Sequence, residues 1–178
     1  MIVKNATQVG NEVIRARSVE VANPKSKGTR KVITDLIDSM RHHDLVGMAA
    51  PQIGKSVRIF VTEIRQTKLR KRDAIALDSL KVFVNPKILS VSKKEAKDWE
   101  GCGSIAAVGL FGMVKRPASL EIEALDEHGV KFHLKAKNLL ARVIQHEMDH
   151  LNGIVFVDKA DSKTYMSKNE YLKMRAKG

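Results

Sequence analysis

The chain predicts an α+β fold in which mixed or antiparallel β-sheets pack around one central helix. Three observations carry that expectation. Apolar residues recur with helical spacing in two separate stretches, apolar and charged residues alternate on either side of a turn at 126–129, and no repeat, low-complexity tract or linker interrupts the 178 residues. A chain of this length suits one domain. It is expected to span 1–178, with a core over about 1–158 and a short basic tail over 159–178.

The first helix is expected over 30–43, where Val32, Ile33, Leu36, Ile37 and Met40 recur every three or four residues; Gly28 and Thr29 can start it. The next stretch, LVGMAAPQIG (45–54), is small, apolar and broken by Pro51, so it predicts a close-packed irregular segment with accessible backbone. Residues 57–64 are rich in β-branched side chains and read as a strand, as do 80–84 ahead of an Asn85-Pro86 break. KLRKR (68–72) reads as an exposed connection. Leu120, Ile122 and Ala124, then the turn DEHG, then Val130, Phe132 and Leu134 predict a hairpin with one buried face. The helical period returns over 137–151 with Leu139, Leu140, Val143, Ile144 and Leu151 on one side, and Gly153 suits its stop.

Composition excludes several classes. The apolar runs at 59–61 and 105–110 fall far short of the roughly 20 residues that cross a bilayer. Residues 1–20 do not read as a secretory signal. One cysteine, Cys102, cannot form an internal disulfide, in keeping with a reducing compartment. Thirty-two basic against 20 acidic residues leave a formal charge of +12, which favours encounter with polyanions such as RNA or the ribosome. Five Phe, two Tyr and one Trp are too few for a base-stacking platform.

The chemistry concentrates in His146-Glu147-Met148-Asp149-His150, an H-E-x-x-H pattern on the second helix. Four-residue spacing puts both imidazoles on one helix face, able to reach one metal ion. At about 100° per residue, Glu147 falls within the apolar arc. A carboxylate buried there is costly unless a cation or partner neutralises it. Two histidines do not complete a site, and three sources of a third ligand separate three hypotheses. A metzincin needs a histidine six residues after the second, where Phe156 stands. A thermolysin-like site would use Glu170, in the basic tail. Cys102 is the third source, flanked by Gly101 and Gly103, where the backbone can bend and approach closely.

GMAAPQIG (47–54), EGCGS (100–104) and QHEMDH (145–150), in this order, resemble the three signature motifs of peptide deformylases. VFVNPKI (82–88), LLARVIQHEMDHLNGIVFVD (139–158) and QVGNEVIR (8–15) extend the similarity over nearly the whole chain up to about residue 158. The resemblance implies a peptide deformylase-like fold and one divalent ion held by Cys102, His146 and His150, with water in the fourth position. It implies ferrous iron, with zinc, nickel or cobalt able to substitute. The implied reaction removes the formyl group from the formyl-methionine of nascent polypeptides in N-terminal methionine processing. In it a metal-bound hydroxide attacks the formyl carbon, Glu147 acts as acid and base, and the Gln52 side-chain amide and Gly103 N–H meet the developing oxyanion. Backbone at Val46 and Gly47 would pair with an extended peptide; Val46, Leu139 and Val143 would line the methionine pocket; Glu100 would support the ligands.

The chain departs from the family pattern in four places, one of them IAAVGLFGMVKRP (105–117), which replaces the usual proline- and arginine-bearing loop and leaves no clear match for an arginine that helps to hold peptide substrates. Leu45 stands where a further glycine is usual, Gly103 where leucine or glutamate is commoner, and Arg142 where an apolar residue often borders the pocket. Two alternatives therefore stay open: a deformylase-like hydrolase of other N-acyl or formyl peptides, and a ribosome- or RNA-binding module on the same scaffold. The resemblance implies the bacterial cytoplasm, with an organellar matrix as the alternative, and no membrane partner.

Overall fold

One helical turn, α1 (Glu12–Arg15), precedes α2 (Lys27–His42), the short strand β1 (Gly47–Ala49) and a 3-10 turn over Ala50–Ile53. The structure is a computed structural model and describes residues 3–68 and 76–177. Strands β2 (Ile59–Ile64), β3 (Asp78–Val91), β4 (Glu95–Gly101), β5 (Leu110–Pro117), β6 (Ser119–Leu125) and β7 (Lys131–Lys137) lead into α3 (Asn138–Leu151); β8 (Asp161–Ser167) and α4 (Lys168–Lys177) follow. The strands form two antiparallel sheets, ordered β1-β2-β3-β6-β7 and β4-β5-β8. This is the expected α+β arrangement, and no helix among the described residues is long and apolar enough to cross a membrane.

Strand alternation explains how the large sheet carries a helix on each face. Phe60, Phe83, Ile122 and Ala124 point to one side and pack with Ile144, Met148 and Leu151 of α3. Ile59, Val61, Val82 and Val84 point to the other and pack with Ile33, Leu36 and Met40 of α2. Strands buried on both faces read as near-continuous apolar runs, which is why β2 was legible. The hairpin forms as expected: Asp126 Oδ1 accepts the N–H groups of His128 and Val130 at 2.8 Å. Beyond α3, Gly153 has φ +74°, and a Cβ there would lie 2.3 Å from the Arg15 carbonyl oxygen, so only glycine fits.

Several expectations are corrected. α2 is capped by Ser26, whose Oγ accepts the Thr29 N–H at 3.0 Å, and so starts before Gly28. Part of 45–54 is regular, because Gly47–Ala49 pairs with β2. β3 runs through Asn85-Pro86: Asn85 adopts φ +50° and its side chain exchanges two hydrogen bonds with the Val21 backbone, so the break becomes a register shift inside the strand. The connection 68–72 lies, apart from Lys68, outside the described residues. β4 and β5 had no periodic signal, since β4 is mostly exposed and polar.

The largest correction concerns 159–178. This stretch supplies β8, which pairs with β5 at Leu110–Ser167 and Phe111–Met166, and α4, whose buried Tyr171 stacks on Phe111 with ring centroids 4.0 Å apart. A single aromatic anchor on an otherwise polar helix gives no period to read.

Candidate metal centre

α3 is the element that builds the site. Its backbone period places His146 and His150 one turn apart, with ring centroids at 5.0 Å, and turns Glu147 inward at 3% exposure, as the apolar arc predicts. The helix comes so close to β1 that a Cβ on Gly47 would lie 2.5 Å from Glu147 Oε1 and 2.7 Å from Val143 Cγ1. Glycine at 47 is therefore a condition for seating the carboxylate.

From the other side, the end of β4 delivers Cys102. Its buried Sγ lies 3.2 Å from His150 Nε2, 3.4 Å from the Ser104 N–H and 3.6 Å from Gln52 Nε2. One donor atom from each of Cys102, His146 and His150 falls within 4.8 Å of the other two. Burial opposes ionisation of the Cys102 thiol, but the adjoining His150 and His146 imidazoles outweigh it and hold the thiol well below its ordinary range. Burial likewise opposes charge on His146, while Cys102 and Glu100 pull its proton affinity well upward. Such a thiolate–imidazolium arrangement is primed to exchange protons for a cation.

These residues suit a divalent ion on the chemistry of the donors themselves. A thiolate and two imidazoles match a three-ligand catalytic set with one position left over. Glu147 Oε2 is buried without a hydrogen-bond partner among the described residues, an expense that a neighbouring cation would relieve. Burial raises the Glu147 carboxyl to about 7, against the pull of the two imidazoles.

Around the cluster lies a buried charge network. Glu100 Oε2 accepts from His146 Nδ1 at 2.9 Å, which leaves Nε2 of that ring to face the cluster. The same carboxylate takes two bonds from Arg116, at 2.6 and 2.9 Å, and one from Arg142 at 2.6 Å. Arg116 continues to Asp149 at 2.8 Å, and Asp149 to Lys159 at 2.6 Å. Desolvation works against the Glu100 charge, yet Arg116 and His146 hold it well below the usual carboxylate range. Sequence reasoning missed Arg116 and Asp149. Asp149 sat in view inside the H-E-x-x-H pattern, whereas Arg116 gave no local signal, because its partners are 16 and 33 residues away.

Gln52 is both a turn residue and a site residue. Its Oε1 accepts the Ala49 N–H at 2.8 Å, which fixes the amide so that Nε2 points toward Cys102. Leu45, Val46, Gly47, Trp99, Gly103, Leu139, Arg142, Val143 and Glu147 line the cavity that opens from the cluster. Arg142 borders it through its stem only. Its guanidinium turns to Glu100, the Val114 carbonyl and the Ala96 carbonyl, so a free charge in the pocket is not what this residue supplies. Leu45 reaches over Gly103, with Cδ1 3.2 Å from where a Cβ would stand. Glu170, the thermolysin-like alternative, is exposed on α4, paired with Lys173 at 2.7 Å and outside the cluster.

Comparison with known proteins agrees with this geometry. The family model for polypeptide deformylase matches residues 3–165. A peptide deformylase of Microchaete diplosiphon is 41% identical over 154 residues, covering 86% of this chain and 77% of the relative. Among solved structures, a Met-Ala-Ser-bound class I type b peptide deformylase from Acinetobacter baumannii superposes with TM-score 0.82 at 28% identity, over 89% of this chain and all of that one. The actinonin complex of the Ehrlichia chaffeensis peptide deformylase superposes with TM-score 0.81 at 30% identity, covering 92% and 91% of the two chains. A converging Cys/His/His set, a buried glutamate beside it and a match over nearly the full length lead to one assignment: the chain belongs to the polypeptide deformylase family.

Proposed function

We propose that this chain is a metal-dependent hydrolase that removes the N-terminal formyl group from formyl-methionyl nascent peptides. The observation that carries the reading is Glu147, a buried carboxylate whose Oε2 has no hydrogen-bond partner among the described residues, set beside three converging metal donors at the base of an open cavity. Cys102, His146 and His150 would hold the ion, and Glu100 orients His146. When bound, a divalent ion acidifies water toward neutral pH and polarises a carbonyl; of the ions this donor set takes, ferrous iron is our choice, with zinc, nickel and cobalt as substitutes.

Glu147 takes the proton of the attacking water and passes it to the departing amine, a role that suits a buried carboxylate set beside the metal donors. Gln52 Nε2 and the Gly103 N–H are the donors for the formyl oxygen as it gains charge. The Gln52 amide is set before substrate arrives by the Ala49 N–H bound to its Oε1, so it needs no reorganisation during reaction. β1 is an edge strand of its sheet; the Val46 carbonyl just before it accepts the Glu63 N–H at 2.9 Å on the β2 side, so Gly47 would be the main backbone offered to an extended peptide, without demanding particular side chains. Val46, Leu139, Val143 and the Arg142 stem would line the methionine pocket. We place the reaction in the bacterial cytoplasm and read the ribosome as the partner, by charge: Lys168, Lys173, Arg175 and Lys177 cluster on α4.

Anaerobic purification, metal analysis and turnover of formyl-Met-Ala-Ser test the reading. The parent chain carries about one ion and deformylates; Cys102→Ala carries none, and Glu170→Ala equals the parent. A metal-loaded parent that leaves formyl-Met peptides intact would sink it. For the partner, Lys173→Glu with Lys177→Glu weakens cosedimentation with ribosomes while short-peptide turnover stays unchanged; unaltered cosedimentation removes the ribosome from the proposal.

A further inference from the structure

The two proposed oxyanion donors sit on separate elements, Gln52 in the 3-10 turn and Gly103 in the loop after β4, and a third segment ties them together. Residues 7–9 run between the two. The Thr7 N–H donates to the Gln52 carbonyl and the Val9 N–H to the Ser104 carbonyl, both at 2.8 Å. Between these backbone ties, the Gln8 side chain adds three bonds: Nε2 donates to the Gly103 and Ala6 carbonyls at 2.8 Å, and Oε1 accepts the Ala107 N–H at 3.1 Å.

The loop that Gln8 grips is strained. Ala106, Ala107 and Val108 have φ of +46°, +49° and +61°, a left-handed turn that residues with a Cβ rarely adopt and a β-branched one still less. Such a turn persists only where its surroundings over-determine it. The Val108 N–H is held by the Cys102 and Ile105 carbonyls, and Gln8 holds both Ala107 and Gly103 from outside.

We propose that Gln8 is a positioning residue: its amide holds the Gly103 carbonyl, on the peptide that follows the Gly103 N–H, against the N-terminal segment and so, through the Gly103 backbone, sets the spacing between that N–H and the Gln52 side chain. This rests on the donor roles given to Gln52 and Gly103 above. Gln8 touches neither the metal donors nor the reacting atoms, and its effect is transmitted through Gly103. Ångström-scale misplacement of a catalytic group lowers turnover by up to about 100-fold.

The test uses the full metal-loaded chain and formyl-Met-Ala-Ser, with three variants. Gln8→Ala is expected to lower kcat about 10-fold with KM within about twofold, unchanged metal content and at least about 10-fold faster hydrogen exchange at the Ala107 amide. Gln8→Glu keeps an acceptor for Ala107 but loses the donor to Gly103, so it lowers kcat similarly while Ala107 stays protected. That split separates positioning of Gly103 from general ordering of the loop. Parental kcat in both Gln8 variants, a rise in KM alone, or a fall in kcat that merely tracks lost metal overturns the proposal. Gln52→Ala is the control: parental kcat there overturns the donor reading itself, whereas a large fall there with none in the Gln8 variants overturns only the brace.

Discussion

The two sides of the metal cluster are built by different physics. On one side, α3 contributes His146, Glu147 and His150 from consecutive turns of one regular helix, packed between the two sheets and set by its own backbone hydrogen bonds. On the other, the 102–108 loop contributes Cys102 and Gly103 through a left-handed turn with no regular structure of its own. What holds that loop comes from far along the chain: residues 7–9 near the N-terminus, and the Phe111–Tyr171 stack packed beside Gly101. The difference teaches where damage should spread. On the helix side, substitutions act on the reacting groups directly; on the loop side, Cys102 also acts directly, whereas substitutions in the segments that support the loop act at a distance and separate stability from turnover.

The largest expected effects set the two sides against each other. Glu147→Gln should lower kcat about 10³-fold while the chain still binds metal, whereas Cys102→Ala should abolish metal binding; metal analysis alongside turnover checks both. If Glu147→Gln instead loses its metal, Glu147 helps to hold the ion and is not confined to proton transfer. The pH profile sharpens the point. Glu147 works as a base only when ionised, and burial raises it to about 7, so kcat/KM should fall as pH drops through the limb that this group sets. A seated cation favours the carboxylate and moves that limb below about 7. The Glu147→Gln variant should lose the limb.

Next in size is Glu100, which joins the two sides. Glu100→Gln leaves buried Arg116 with Asp149 alone, removes the carboxylate that pairs with Arg142 and takes the charge from the acceptor of His146. About 3 kcal/mol of stability should go, because breaking a buried pair leaves its partner uncompensated. Metal affinity should weaken about 10- to 100-fold. Urea titration and competition with a chelator read the two losses separately.

Tyr171→Ala should destabilise by about 3 kcal/mol through the lost stack on Phe111, while kcat on a short peptide stays within about threefold. A fall in kcat as large as that of Glu147→Gln would mean that α4 reaches into catalysis. The smallest effect concerns Leu45 and Gly103. Gly103→Leu collides with Leu45 and should raise KM several-fold, and adding Leu45→Gly should restore it, since the two positions share one space. A double-mutant cycle on KM measures that coupling; additive effects would show that the two side chains do not compete.

The site was more legible than its support. His146, Glu147 and His150 announce themselves because helix period and metal-ligand spacing are both local, and the inward turn of Glu147 follows from the same rotation. Cys102 was found as a lone thiol between two glycines. Gln52 and Gly103 came from motif resemblance, and the structure adds the reason for the Gln52 orientation, the Ala49 N–H bound to its Oε1. Arg142 borders the pocket, as its place on α3 suggested, and only the approach of β4 and β5 shows its guanidinium bonded to Glu100 and two carbonyls.

By itself the amino-acid order determined whatever depends on neighbours a few residues apart: the α2 and α3 periods, the doubly buried β2, the Asp126 turn and the stop at Gly153. Tertiary structure alone decided the rest. β4 and β8 are polar strands that exist because β5 lies between them, α4 docks through the Tyr171 ring and the Lys168 N–H bound to the Gly109 carbonyl, and Asn85 continues a strand because Val21 receives its side chain. Arg116 finds both its carboxylates only after β5 meets α3. Hydrogen bonds and ion pairs between distant segments leave no periodic trace, since each partner contributes a single residue and the spacing between them is set by the path of the chain in space.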